Sequence, residues 1–89
     1  MSPEQIAEVL AEKEGSPCRF VETAEVTERF KGKTVWTGEV LVFALKRPPD
    51  ELCYAWIDPD AKSLVTVLNR PPVDSPATAV RAYIASKAR

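Results

Sequence analysis

Apolar positions recur at helical spacing near both ends of the chain and at alternate positions through its middle. Between Pro3 and Glu14, Ile6, Val9 and Leu10 join the alanines in a narrow stripe while glutamates occupy the rest, the pattern of a surface helix. Ser2 and Gln5 supply a capping box around Pro3 at the first helical position, and Gly15 and Pro17 close the far end, the glycine by accepting a left-handed backbone and the proline by preventing resumption. A helix over about residues 3–14 is predicted. From Cys18 the period becomes two, with Cys18, Phe20, Ala24, Val26 and Phe30 on one side and Arg19, Glu25, Thr27 and Arg29 mostly on the other, as in a half-buried strand. Lys31-Gly32-Lys33 is a short loop leading into a second β-rich run, Thr34 to Leu45, so the two runs form a long hairpin. Pairing Phe30 with Thr34 sets Glu28 opposite Trp36, Val26 opposite Gly38, Ala24 opposite Val40 and Phe20 opposite Ala44, which aligns the apolar sides unless a bulge intervenes.

Lys46-Arg47-Pro48-Pro49-Asp50 turns the chain, because two prolines remove two ladder donors. A third strand then runs from about Leu52 to Ile57, Asp58-Pro59-Asp60-Ala61-Lys62 turns again, and Leu64 to Leu68 makes a fourth. Ser75-Pro76 restarts a helix by the device used at the N-terminus, with Val80, Tyr83 and Ile84 on its apolar side. The order α-β-β-β-β-α with short connections predicts an α+β fold over residues 1–89 as a single domain: a four-stranded antiparallel meander with both helices packed on one face.

That arrangement leaves a second face to account for. The second strand alternates Val35, Leu41, Phe43 and Leu45 with Trp36, Val40 and Val42, and the fourth alternates Leu64 and Leu68 with Val65 and Val67. Both faces are therefore apolar, and two short helices on one of them would leave the other to a further copy of the chain or to curling of the sheet. A homo-oligomer, most simply a dimer, is the expected partner.

Composition narrows the chemistry. The 89 residues are 45% hydrophobic and 28% charged, the balance of a globular domain with one core. Apolar runs such as Val40 to Leu45 are far below the roughly 20 residues of a membrane helix, and the N-terminus lacks the pattern of a signal peptide. A cytoplasmic protein without a membrane partner is expected. Cys18 and Cys53 are too few for a secreted disulfide scaffold and read as reduced, buried thiols. The chain contains no histidine, which excludes a Cys-His pair, a Ser-His-Asp triad or a histidine metal ligand within one subunit. A net charge of −1 does not suit a general binder of phosphate backbones. The charge is nevertheless uneven, from an acidic first helix with Glu4, Glu8, Glu12 and Glu14 to a hairpin tip with Arg29, Lys31 and Lys33. Nucleic-acid binding through that tip ranks last among the readings, since three charges give weak, salt-sensitive contact and basic hairpin ends also serve solubility.

Trp36, Tyr54 and Trp56 are the candidate binding residues, each offering a broad face and a polar edge to a flat ligand, although aromatic residues inside strands serve equally as core or interface. Asp58 and Asp60 resemble half of a metal or acid–base site, but no glycine and distal glutamate complete a calcium loop and turns favour aspartate. There is no phosphate-binding glycine loop, nucleophile elbow or paired-cysteine zinc motif. No catalytic residue, metal ligand or cofactor is therefore assigned.

The segments Val35-Trp36-Thr37-Gly38-Glu39-Val40-Leu41-Val42-Phe43, Cys53-Tyr54-Ala55-Trp56 and Val67-Leu68-Asn69-Arg70-Pro71-Pro72-Val73-Asp74-Ser75-Pro76, followed by Ala79-Val80, resemble those of a family of small uncharacterised bacterial proteins. The similarity spans about residues 34–84 and leaves out the acidic first helix. It implies a bacterial, independently encoded small protein and transfers no activity. The leading expectation is a non-enzymatic binding or structural module that self-associates through its sheet. The alternative is a small-ligand-binding protein or minor enzyme with a pocket between sheet and helices, near Tyr54 and Trp56.

Overall fold

A computed structural model describes residues 2–47 and 51–87. Helix α1 spans Pro3–Glu14, with both halves of the predicted capping box formed: the Gln5 amide donates to Ser2 Oγ at 3.2 Å and the Ser2 amide to Gln5 Oε1 at 2.8 Å. Gly15 closes it at φ 65°, in the left-handed region where a side chain would be strained. Strands β1 (Cys18–Phe30), β2 (Lys33–Leu45), β3 (Glu51–Ile57) and β4 (Leu64–Leu68) pair in chain order as an antiparallel meander, and helix α2 (Pro76–Lys87) follows. The predicted α+β class and α-β-β-β-β-α order hold. The predicted turn at 46–50 lies partly outside the described residues, at Pro48, Pro49 and Asp50.

The hairpin register agrees with expectation through its middle, where Glu28 faces Trp36, Val26 faces Gly38 and Ala24 faces Val40. It departs at both ends, where Phe30 faces Lys33 and Phe20 faces Phe43, because Val35 on β2 and Val21 on β1 are each an extra, unopposed residue. The tip closes around Lys31 and Gly32 at φ 52° and 78°, the paired positive angles of a two-residue hairpin turn. The Val21 bulge also moves the apolar side of β1 across the sheet. Cys18 and Phe20 lie with Phe43, whereas Val26 beyond the bulge lies with Val40 and Val42.

The helices do not share a face. Ile6 and Leu10 of α1 pack on Phe43, Leu45, Cys53 and Ala55, with Leu41, Leu64 and Leu68 around them. Ala79 and Val80 of α2 pack on Val26, Val40, Val42, Tyr54 and Trp56, with Val65 and Val67 around them. In β2 and β3 the first set is odd-numbered and the second even-numbered, so α1 and α2 cover opposite faces. The expectation of both helices on one face is corrected by this arrangement, and its physical reason is the two-sided apolar character that the sequence shows in β2 and β4, which offers a helix a surface on either side. Each helix hides one of the two faces.

Ser75 caps α2 by accepting from the Thr78 amide at 3.2 Å, and Thr78 Oγ1 reciprocates by accepting from the Ser75 amide at 2.9 Å. Both cysteines are free, Cys53 buried and Cys18 partly so. Burial pushes the Cys53 thiol up to about 12, which leaves it inert as a nucleophile or ligand.

Candidate functional site

Even numbering along β2 and β3 brings Trp36, Tyr54 and Trp56 to the face covered by α2. Trp36 and Trp56 meet edge to face with centroids 5.9 Å apart, and Trp56 meets Tyr83 of α2 in the same manner at 5.5 Å. Tyr54 and Trp56 are each only 2% exposed, so they fill the core between sheet and helix and present no open platform. Trp36 borders a cleft, a space of about 170 Å³ shared with Val35, Asp58, Pro59, Asp60, Tyr83, Ile84 and Lys87. Gly38 belongs to this packing, because a Cβ there would stand 3.1 Å from the Trp36 ring.

Asp58 is the polar centre of the cleft. It directly follows β3 and is 2% exposed. Its Oδ1 accepts from the amides of Asp60 at 2.8 Å and Ala61 at 3.1 Å, which shapes the β3–β4 turn. Its Oδ2 accepts from the Tyr83 hydroxyl and from Lys87 Nζ at 3.2 Å. The Tyr83 hydrogen bond, followed by the two turn amides, holds the Asp58 carboxyl well below the usual carboxylate range. The same contact raises the Tyr83 hydroxyl and, from the other side, the Lys87 ammonium. Lys87 also stands 5.3 Å from the centre of the Tyr83 ring. A carboxylate so fully satisfied is suited to fixing the turn against α2 and poorly suited to proton transfer, for which its pKa is far from neutrality.

The turn reading of Asp58 is the one the geometry supports, and Asp60 is exposed and does not converge with it. Among the described residues no group of three or more His, Cys, Asp or Glu is placed to hold a metal ion. Sequence reasoning missed the tie from Asp58 to Tyr83 and Lys87, although Tyr83 and Lys87 stand four residues apart on α2, the spacing that aligns side chains on one helix face. The indole nitrogens of Trp36 and Trp56 are buried without a hydrogen-bond partner among the described residues, an uncommon state for a buried donor.

A second polar centre lies at the opposite end of β3. Glu51 receives Arg47 at 2.7 Å and Arg70 at 2.6 Å. Arg47 also donates to the Glu14 carbonyl at 3.0 Å, at the end of α1, where a cation complements the helix dipole. The two guanidinium hydrogen bonds, Arg70 first, hold the Glu51 carboxyl at about 2.

The remaining features are surfaces. The basic tip residues Arg29, Lys31 and Lys33 are exposed, and beside them Phe30 (63% exposed) and Val35 (47%) border a groove with Ile84 and Arg81. At the other edge of the sheet every residue of β4 is only partly buried: Leu64 and Leu68 on the α1 face, Val65 and Val67 on the α2 face, with Thr66 between them. Ile57, paired with Leu64, is 44% exposed. Both helices lie chiefly over β1 and β2, so the apolar β4 edge is covered only in part. No family model, curated protein or solved structure was found to match this chain.

Proposed function

We propose that this protein is a non-enzymatic binding or structural module of the bacterial cytoplasm that works as a self-associated dimer, and that it is a member of the family of small bacterial proteins its strand segments resemble. The observation that carries this reading is β4, an edge strand of Leu-Val-Thr-Val-Leu, apolar on both faces and half-covered on both. Soluble proteins protect such edges with charges, prolines, bulges or a covering partner, and β4 itself has none of the first three. The face-pairing route expected from helices on one side does not apply, since each face carries its own helix, and the edge takes its place. The buried Asp58, whose oxygens are all engaged, and the inert Cys53 favour a structural over a catalytic reading. Sedimentation equilibrium at micromolar concentrations tests the proposal: a mass near twice 9.8 kDa is expected, and a mass that stays at the single-chain value up to hundreds of micromolar would rule out the dimer.

The Trp36 indole, without a hydrogen-bond partner among the described residues, favours a second reading, a small-ligand site in the cleft bordered by Trp36 and Tyr83. A ligand there would bring an acceptor to an indole N–H, as a carboxylate or carbonyl does. Its signature is a shift of the Trp36 indole resonance when a fragment library of small carboxylic acids is added, with the Leu64 and Leu68 methyl signals unmoved.

A further inference from the structure

We infer that the dimer is built by antiparallel pairing of β4 with β4 of a second copy, centred on Thr66, so that two four-stranded sheets become one continuous sheet. This rests on the self-association reading above and names the surface that performs it. The sequence of β4, Leu64-Val65-Thr66-Val67-Leu68, reads the same in both directions. An antiparallel partner running past it about a two-fold axis at Thr66 therefore meets like with like: Leu64 faces Leu68 of the other copy, Val65 faces its Val67, and Thr66 faces itself. Such an isologous contact needs one surface that complements itself.

The backbone agrees with that centre. Ser63 O accepts from the Asp58 amide at 2.9 Å and the Asn69 amide donates to Leu52 O at 2.9 Å, so residues 63 and 69 turn their backbone groups toward β3. By the alternation of an antiparallel ladder, 65 and 67 do the same, and Leu64, Thr66 and Leu68 direct theirs outward, where the Leu68 carbonyl accepts from the Arg70 amide at 2.9 Å and keeps a second lone pair for a partner strand. The outward set is the set that a pairing centred on Thr66 uses. On the α1 face the leucines of both copies then close into one cluster extended by Ile57, and on the α2 face the valines do so. The opposite edge is unfit for this role, since β1 carries Glu22, Glu25 and Glu28 and the Val21 bulge.

A charge stands at the axis: Lys13 Nζ donates to Thr66 Oγ1 at 2.7 Å. Pairing brings two Lys13 ammonium groups together over the threonines. Salt screens that repulsion, so this dimer tightens as ionic strength rises and in Lys13→Gln. A head-to-tail contact between the acidic α1 and the basic hairpin tip would show the opposite salt dependence.

The test combines sedimentation with Thr66→Pro and a nitroxide at position 66. Thr66→Pro removes the exposed Lys13 contact and, from the backbone, only an outward N–H, so it leaves the β3–β4 ladder intact and is expected to give a folded monomer at concentrations where the wild type is dimeric. A nitroxide on Thr66→Cys, in a Cys18→Ser, Cys53→Ala background, is expected to show spin–spin broadening lost on dilution with unlabelled chain, because residues paired across the axis stand about 5.5 Å apart at Cα. The labelled chain decides the matter if the proline variant unfolds. A wild-type dimer with an unbroadened spectrum, or with a folded Thr66→Pro chain that is still dimeric, overturns the β4 seam and leaves the self-association reading standing. A monomeric wild type removes both.

Discussion

Glu51 is the residue whose surroundings make the clearest statement about pH. Arg70 and Arg47 hold its carboxyl at about 2 against an ordinary 4.5, so the folded state releases this proton more readily than the unfolded chain does. A depressed carboxyl stabilises the fold fully above the unfolded value, and that contribution is lost as pH falls from about 4.5 toward about 2. Glu51→Gln is therefore expected to lower the urea midpoint at pH 7, with the gap to wild type closing as the pH approaches 2. Equal gaps at both ends of that range would mean that the arginines are held by something other than the carboxylate charge. Single residues were also where the sequence said least about the candidate site. Trp36, Tyr54 and Trp56 share a face by simple parity, which was readable, but that two of them are core and one borders a cleft follows from the path of α2. Asp58 was visible as a turn residue, whereas its contacts with Tyr83 and Lys87 join positions 25 and 29 residues away along the chain, and local pattern carries no information about such a meeting.

At the scale of elements, the parts specified by neighbouring residues were the most readable. The Ser2–Gln5 box, the Gly15 stop and the Ser75 cap are each encoded within a few positions, and all are present. The bulges at Val21 and Val35 were not placed by the sequence pattern, because a bulge is a mismatch between two strands and each strand alone reads as regular alternation. The Val21 bulge moves the apolar side of β1 from the α1 face to the α2 face, so one extra residue changes which helix the strand serves. For the caps a quantitative expectation follows. Ser75→Ala leaves the Thr78 amide without its acceptor and also removes a hydroxyl contact to Thr78 Oγ1 at 3.1 Å; a loss of about 0.5–2 kcal/mol in unfolding free energy is expected. Chemical denaturation measures it, and Ser75→Asp should recover most of the loss because aspartate is also a good cap. An alanine variant as stable as the wild type would mean that Thr78 and Asp74 suffice to order the start of α2.

For the molecule as a whole, the class and strand order were readable because short connections allow few alternatives, but the side taken by each helix was not. β2 and β3 are apolar on both faces, so their pattern permits either helix on either side, and only the packing of Ile6 and Leu10 against Phe43 and of Val80 against Val40 and Tyr54 decides it. The result is two clusters separated by the thickness of one sheet, and this has an energetic consequence. Ile6→Val, on the α1 face, is expected to cost about 0.5–1.5 kcal/mol, and Val80→Ala, on the α2 face, about 2 kcal/mol. Ile6 is 2% exposed and Val80 fully buried, so each substitution leaves a small cavity, but the two cavities open on different faces and share no lining side chain. Substitutions without shared partners add to within about 0.5 kcal/mol. The double variant should therefore lose the sum of the two single losses, with each measured by urea unfolding at a concentration that keeps the oligomeric state constant. Had both helices lain on one face, Ile6 and Val80 would have bordered a common core, where neighbouring cavities relax into one another and their costs cease to add. A coupling well above 0.5 kcal/mol would show that the sheet transmits the disturbance through the residues of β2 and β3, and that its faces do not act as independent cores.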